Sequence, residues 1–215
     1  MAQLNYQSDF LTTLAYLMGE RSVNSTTSTP RADFIQSALE DVYKAYPWRF
    51  ARANATLTVT GGIATLPTDY DDNHLAYAKY DNGSVAEDLD PIDPDDEDDL
   101  SDGDRAVWIE AIGDGTRYVL KTKDSDVATV RFRYQTQAPI LATASTGTAY
   151  PNKRTVCLGA RRDVKLSQNP DADVSQDNAI YERELAKDIA AQQVHAPRKR
   201  RRTAHGQSRS YTGEF

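Results

Sequence analysis

The sequence predicts an α+β fold: a four-helix bundle-like α domain with an inserted antiparallel β sandwich or barrel and an extended C-terminal tail. Three observations carry this prediction. Apolar residues recur at helical spacing in both the first and the last quarter of the chain. Between these regions the spacing changes to the strict alternation that is typical of half-buried strands. The final 20 residues show neither pattern and are strongly basic.

Two helices are predicted before residue 47. The first covers residues 8–18 and ends at Gly19, and its apolar stripe consists of Phe10, Leu11, Leu14, Leu17 and Met18. For the second helix, Thr29 is a suitable N-cap and Pro30 a suitable first helical residue. The apolar face of this helix is formed by Phe34, Ala38, Leu39, Val42 and Tyr46. Pro47 is expected to end it.

The stretch "YPWRF" at residues 46–50 joins the helices to the β region. We expect Trp48 and Phe50 to be hydrophobic plugs at this joint, together with Tyr46 and Pro47. A binding role for Trp48 is the alternative.

From Ala55 the apolar residues alternate, with Leu57 and Val59 on one face of a strand. Gly61 and Gly62 predict a hairpin turn, and Pro67 is expected to end the returning strand. Further alternating segments follow at residues 74–81, 105–112, 116–123 and 128–137. The pattern predicts a meander of about six strands over roughly residues 55–137.

Helical spacing resumes near Asn152 with Val156, Cys157, Ala160 and Val164. After a break at residues 167–175, a last helix is predicted from about Asp173 to Val194, with Ile180, Tyr181, Leu185 and Ile189 facing a core. The predicted domains are therefore a helical bundle of residues 1–53 and 145–196, an inserted β domain of residues 54–144, and a basic arm of residues 197–215.

Charge is distributed unevenly along the chain. Residues 196–215 carry +5, which leaves −12 on the remainder of a chain whose net charge is −7. Residues 87–104 contain eleven acidic residues and no basic one. Because this stretch lacks the ligand spacing of a calcium loop, we expect a solvated loop with a short helix at about residues 94–100. Contact with a basic surface of a partner or of a neighbouring copy is the alternative.

Several functional classes find no support in the sequence. The single cysteine, Cys157, excludes an internal disulfide framework, and with only His74, His195 and His205 no zinc site is expected. No nucleotide-binding, hydrolase or metalloprotease motif is present, so we expect a protein that is not an enzyme and that needs no cofactor. A pair of Cys157 with His195 remains an alternative, although a buried structural thiol is favoured. We expect no signal peptide or membrane span, and a reducing, aqueous compartment.

The C-terminal arm combines basic and aromatic residues: Arg198, Lys199, Arg200, Arg201, Arg202, Arg209, Tyr211 and Phe215. It could be a disordered solubilising end, a nucleic-acid arm, or an arm that becomes ordered on a protein partner. We favour the last hypothesis, because aromatic anchors beyond the charges are typical of binding to a protein groove.

The order of these parts resembles the head-to-tail adaptor (connector, or head-completion) proteins of tailed bacteriophages, including the tail-tubular-protein-A type. The resemblance covers about residues 8–195 and is carried most clearly by "YPWRF" at residues 46–50 and "LPTDY" at residues 66–70. An inserted β region and two C-terminal helices complete the likeness.

The resemblance implies a structural virion protein that forms a ring, with twelve copies expected, beneath the portal. Such a ring extends the DNA channel and presents an attachment surface for the next tail component. The implied partners are the portal protein, neighbouring copies and a distal stopper, nozzle or tail-tube protein. Genomic DNA is implied to pass through the channel without sequence-specific binding, and no membrane is involved. The implied location is the head–tail interface of the virion, and the host cytoplasm during assembly. Another structural or assembly module, or a DNA-binding protein with a basic C-terminal arm, is the alternative.

Overall fold

The computed structural model describes residues 6–21, 25–72, 77–81, 86–112, 117–141 and 152–194. These residues form a mixed α+β fold with four α-helices and two four-stranded sheets. The helices are α1 (Tyr6–Leu17), α2 (Ser25–Ala45), α3 (Lys153–Gln168) and α4 (Ser175–Val194). We call these four helices the helical part.

Eight strands, all between α2 and α3 in sequence, make up the β part. They are β1 (Arg52–Thr58), β2 (Ile63–Thr65), β3 (Tyr77–Asp81), β4 (Ala86–Asp88), β5 (Asp90–Pro91), β6 (Ala106–Ile112), β7 (Arg117–Lys121) and β8 (Thr129–Gln135). A 3-10 helix, η1 (Pro94–Asp99), follows β5, as the sequence predicts for this stretch.

The helix ends are set by local chemistry. Gly19 follows α1 in the left-handed region at φ +79°, which a residue with a side chain adopts only at a cost. Asn152 caps α3, because its side-chain oxygen accepts a hydrogen bond from the amide of Arg154. Pro47 follows α2 closely, as expected.

The predicted start of α2 is wrong. The helix begins at Ser25, so Pro30 is its sixth residue and not its first. A proline cannot donate to the carbonyl four residues earlier, but this removes one hydrogen bond near the start of a 21-residue helix. The remaining length of α2, with its buried face, accommodates that loss.

α3 is the central helix, since it contacts α1, α2 and α4. The fit is close at Gly159, where an added Cβ would lie 3.2 Å from Ala38 of α2 and 3.2 Å from Tyr181 of α4. The core buries Phe10, Leu11 and Leu14 of the stripe predicted for α1, whereas Leu17 and Met18 pack against it partly buried. It also buries the residues predicted for α3, as well as Ile35 and Tyr43 of α2.

The two sheets have strand orders β1-β8-β3-β4 and β2-β7-β6-β5. The predicted sequential meander is therefore wrong. The turn at Gly61 and Gly62 does form, with both residues at positive φ, but it carries the chain from the first sheet to the second. β1 instead pairs with β8, from Arg52 opposite Gln135 to Thr58 opposite Thr129. Alternation fixes which face of a strand is buried but carries no information about its partner.

Side chains from both sheets share one core, which is separate from the core of the helical part. The first sheet contributes Leu57, Ala78, Val130, Phe132 and Tyr134, and the second contributes Ala64, Val107 and Leu120. All strand pairs are antiparallel except the two-residue pair of β5 with β6.

Candidate functional site

The aromatic stretch after α2 is part of the helical core. Trp48 is fully buried, and its indole N–H donates a 2.7 Å hydrogen bond to the carbonyl of Val42. Its ring stacks on Phe50 at 5.5 Å and meets Tyr46 edge-on at 5.2 Å. Tyr46 and Phe50 are half-buried against the same core, and Pro47 is exposed. These rings fix the direction in which the chain leaves α2 and enters β1.

The "LPTDY" stretch lies where the β part meets the helices. Tyr70 bridges Thr136, and the carbonyl of Asp69 accepts a hydrogen bond from the amide of Gln137 at 2.8 Å. The carbonyl of Ala51 in turn accepts one from the amide of Thr136 at 2.7 Å. The segments that enter and leave the β part are thus joined to each other and to residues 69–71.

Tyrosine hydroxyls and carboxylates pair repeatedly in this region. Tyr134 donates to Asp69 at 2.9 Å and Tyr118 donates to Asp72 at 2.5 Å. Burial, followed by the hydrogen bond to Asp69, raises the pKa of Tyr134 to about 12. Burial, followed by the nearby charge of Asp72, raises the pKa of Tyr70 to about 12. Both phenols are therefore neutral at physiological pH.

A cleft of about 420 Å³ separates α2 from the end of the β part. It is lined by Gln36, Glu40, Tyr43, Lys44, Asp71, Asp72, Gln137, Ala138 and Ile140. Ile140 is 62% exposed at its rim. The amide of Leu141 donates to the side chain of Gln36 at 2.9 Å, which ties the exit of the β part to α2.

The outer face of the first sheet is basic. Arg131 lies opposite Thr56 and Lys79, while Arg133 lies opposite Asn54 and Tyr77. Because opposed residues share a face, these side chains stand together with Arg52. We call Arg52, Lys79, Arg131 and Arg133 the basic sheet face. A shallow concavity of about 350 Å³ lies on it, and the Tyr77 ring is 45% exposed at its side.

One carboxylate, Asp88, lies at the edge of the basic sheet face. Lys79 approaches it at 2.7 Å and the hydroxyl of Tyr77 donates to it at 2.5 Å. The hydrogen bond from Lys79, with that from Tyr77, holds the pKa of Asp88 below its usual value. Asp88 therefore stays ionised and neutralises one of the four cations.

The acidic segment, residues 87–104, covers the edge where β4 and β5 lie. Arg105 anchors it through ion pairs with Glu87 and Asp124 and lies over the ring of Tyr80 at 4.5 Å. The ammonium group of Lys123 approaches the carbonyls of Glu97 and Leu100 at the end of η1. The aspartates of η1 point to solvent: Asp95, Asp96, Asp98 and Asp99 are all exposed.

Cys157 is fully buried on α3, where its thiol contacts the carbonyl of Phe10 at 3.4 Å. Burial raises the pKa of this thiol to about 12, so it is not a nucleophile at neutral pH. His195, its alternative partner, lies outside the described residues, as do His74 and His205. Across the described ranges, no group of three potential ligands could hold a metal ion. The helices described here include none with the length and apolar character to cross a membrane.

The predicted C-terminal arm lies outside the described residues, including Arg198, Lys199, Arg200, Arg201, Arg202, Arg209, Tyr211 and Phe215. The basic sheet face, by contrast, was not singled out by the sequence analysis. A signal for it exists in "RFRYQ", where Arg131 and Arg133 alternate with core aromatics. Lys79 and Arg52 lie on the same face as these arginines because β3 and β1 pair with β8. The alternation of apolar residues does not reveal that pairing.

Comparison with known proteins gives one result that covers nearly the whole chain. Residues 5–209 match the family model described as SU10 adaptor protein. A comparison with curated proteins finds no match.

Proposed function

Since the chain belongs to the SU10 adaptor protein family, and is therefore a structural adaptor protein of a bacteriophage virion, we propose that it forms a ring beneath the portal. In this proposal the ring holds twelve copies, extends the DNA channel and offers an attachment surface to a distal stopper, nozzle or tail-tube protein. The family match over residues 5–209 is the observation that carries the proposal.

The shape and charge of the subunit support a ring. Head-to-tail contacts that close a ring need two unlike surfaces on each copy. The basic sheet face and the acidic segment are unlike surfaces of one β part. The charge of −12 on residues 1–195 also suits a channel wall, because it disfavours binding to DNA phosphates during passage.

The proposed adaptor has a helical domain and an inserted β domain. We assign residues 1–53 and 145–196 to a four-helix bundle domain like that of the tail-tubular-protein-A type, and residues 54–144 to an inserted β sandwich. Trp48, Phe50, Tyr46 and Pro47 are the structural joint between the two. We also propose that the protein has no catalytic role, which accords with the buried, protonated thiol of Cys157.

The basic arm of residues 197–215 is proposed to bind the portal. Its arginines would pair with carboxylates in bidentate geometry, and Tyr211 and Phe215 would anchor the far end. At about 3.3 Å per residue, 19 extended residues reach roughly 60 Å, which is enough to contact a neighbouring protein. Ordering of such an arm costs free energy that only the correct partner offsets, so docking would be selective.

Purified protein added to DNA-filled heads that carry the portal tests the proposal. We expect electron microscopy to show a twelve-fold ring on the portal vertex of each head. Deletion of residues 197–215 is expected to leave the circular dichroism spectrum and melting temperature unchanged and to abolish docking. Heads that bind no ring under any condition would overturn the proposed function, whereas native docking of the truncated protein would remove only the arm from it.

Charge variants separate the two kinds of contact in the arm. Arg200→Glu with Arg201→Glu is expected to weaken docking in a salt-dependent manner, and Phe215→Ala to weaken it at every salt concentration. The matched control is Arg200→Lys with Arg201→Lys. It keeps the positive charge but removes the planar guanidinium group that can bind a carboxylate through two hydrogen bonds. If this control docks as the unmodified protein does, charge alone suffices and bidentate pairing is wrong.

A further inference from the structure

We propose that the basic sheet face of one copy binds the acidic segment of a neighbouring copy, and that this contact joins adjacent subunits. The inference rests on the proposed ring and identifies its lateral surfaces. Its occupant is therefore a second copy of this chain.

The basic sheet face is preorganised for an anionic surface. Its cations stand at fixed strand positions, with Arg131 and Arg133 two residues apart on β8 and Lys79 beside Arg131 on β3. The inward positions between them, Val130, Phe132 and Tyr134, are buried in the core, so the strand cannot rotate. Arg52, Arg131 and Arg133 are exposed, and Lys79 pairs with Asp88 at the edge of the face.

The acidic segment is held in a defined shape, while the aspartates of η1 are exposed. Lys123 contacts backbone carbonyls of η1 and Arg105 pairs with Glu87 and Asp124. Among the described residues, Asp95, Asp96, Asp98 and Asp99 have no basic ion-pair partner. Like charges at this density repel one another, so a fixed cationic partner would stabilise the segment.

Within one copy the two surfaces meet at Asp88, which pairs with Lys79, but no ion pair among the described residues joins the aspartates of η1 to the basic sheet face. The basic face is the outside of the first sheet, whereas η1 packs against β6 of the second sheet. When the basic sheet face of one copy binds the acidic segment of the next, the contact is heterologous. An open chain of copies then has one unoccupied basic face at one end and one unoccupied acidic segment at the other, until the ring closes. DNA fits the basic face less well, because the acidic segment of the same β part would repel phosphates.

Charge-swap variants test the contact on the full chain. One variant carries Arg131→Glu with Arg133→Glu, a second carries Asp95→Lys with Asp96→Lys, and a third combines all four changes. Sedimentation at low salt and ring counting on portal-bearing heads are the measurements. We expect each reversal alone to weaken association by at least about tenfold. The combined variant, and an equal mixture of the two single-surface variants, should regain most of the lost association.

Arg183→Glu with Lys187→Glu on the exposed surface of α4 is the matched control, because it changes the net charge by the same amount. We expect this control to associate as the unmodified chain does. Rings that form equally well with all variants would overturn the proposed surfaces and leave the ring itself intact. If neither the variants nor the unmodified chain self-associate, even on portal-bearing heads, both the proposed ring and the proposed lateral surfaces are wrong.

A third outcome would reassign the basic face. If the Arg131→Glu, Arg133→Glu variant loses affinity for a DNA duplex and the combined variant recovers no ring formation, the face binds nucleic acid and the inference is wrong. Circular dichroism of each variant checks that all proteins are folded.

Discussion

The helical part and the β part both have ion pairs, and the β part also has hydrogen bonds between tyrosines and carboxylates. In the helical part, Lys165 of α3 pairs with Asp177 of α4 at 2.5 Å, and Arg31 of α2 pairs at 2.5 Å with Glu20 in the segment between α1 and α2. The β part has ion pairs too, such as Lys79 with Asp88 at 2.7 Å, and in addition its tyrosine hydroxyls donate to carboxylates, as in Tyr134 with Asp69. The comparison teaches that the two parts can differ in their response to pH, because the helical part buries a thiol, Cys157, whereas the β part buries the phenols of Tyr70 and Tyr134.

Each part also contains one of the two tryptophans. Trp48 lies in the helical core and Trp108 is buried on β6. Fluorescence of single-tryptophan variants can therefore report the unfolding of each part. The following changes test whether the two parts are independent.

Trp48→Ala should produce the largest effect. Removing a fully buried indole is expected to destabilise the helical part by about 3–5 kcal/mol, through lost burial and a cavity. Urea unfolding followed by far-UV circular dichroism measures this loss, while Trp108 fluorescence reports the β part.

Trp48→Phe is the matched control, since it keeps an aromatic ring but loses the hydrogen bond to Val42. We expect a smaller loss of about 1–2 kcal/mol. If the midpoint of Trp108 fluorescence falls as far as the helical signal in Trp48→Ala, the two parts unfold as one unit. Unchanged stability would contradict a structural role for the indole.

Gly62→Ala should destabilise the β part. Its φ of +77° is strained for alanine, and the new Cβ would lie 2.6 Å from the carbonyl oxygen of Thr122. We expect a loss of about 2–3 kcal/mol, seen as an earlier urea transition of Trp108 fluorescence.

Gly61→Ala separates the two causes, because Gly61 also has positive φ, +59°, but no atom within 4 Å of an added Cβ. We expect a loss of only about 1 kcal/mol. Equal losses for the two variants would show that backbone strain, and not the contact with Thr122, decides the cost.

The two parts also differ in how far their structure follows from sequence. Helical spacing identified all four helices, because contacts three and four residues apart determine a helix face. The start of α2 was missed, since a proline is a common but not obligatory first helical residue. In the β part, most strands were identified, but β4 and β5 are two or three residues long and lie within an acidic run. The pairing of β1 with β8 joins residues about 80 positions apart, which no local pattern encodes.

The two charged surfaces also differ in whether the sequence alone reveals them. The acidic segment is evident from composition, because its residues are contiguous. The basic sheet face is assembled from three strands of one sheet, so its charges become a surface only after the sheet forms. The aromatic joint was located from "YPWRF" alone, but the hydrogen bond from Trp48 to Val42 required the geometry of the turn after α2.

Arg31→Met should weaken the helical part at low salt. Arg31 is 5% exposed and donates two hydrogen bonds to Glu20, which lower the pKa of Glu20. We expect a loss of about 1–2 kcal/mol. Arg31→Lys keeps the charge but not the paired geometry, and should lose about half as much. If Arg31→Met unfolds at the same urea concentration as the unmodified chain at low salt, the predicted contribution of this ion pair is wrong.

Alkaline pH should begin to destabilise the two parts at different pH values. Cys157, Tyr70 and Tyr134 all have folded pKa values raised to about 12, from ordinary values near 9 for the thiol and 10 for the phenols. Each group contributes stability that is fully present below its unfolded pKa and is lost as pH rises toward the folded value, because only the unfolded chain releases the proton in that window. The helical part should therefore begin to lose stability from about pH 9, and the β part from about pH 10. Cys157→Ala should delay the loss of stability of the helical part without altering the β part. Tyr134→Phe should reduce the loss in the β part alone, with Tyr70 supplying the remainder. Urea midpoints measured from pH 8 to pH 11 test this order, and a β part that weakens first would contradict it.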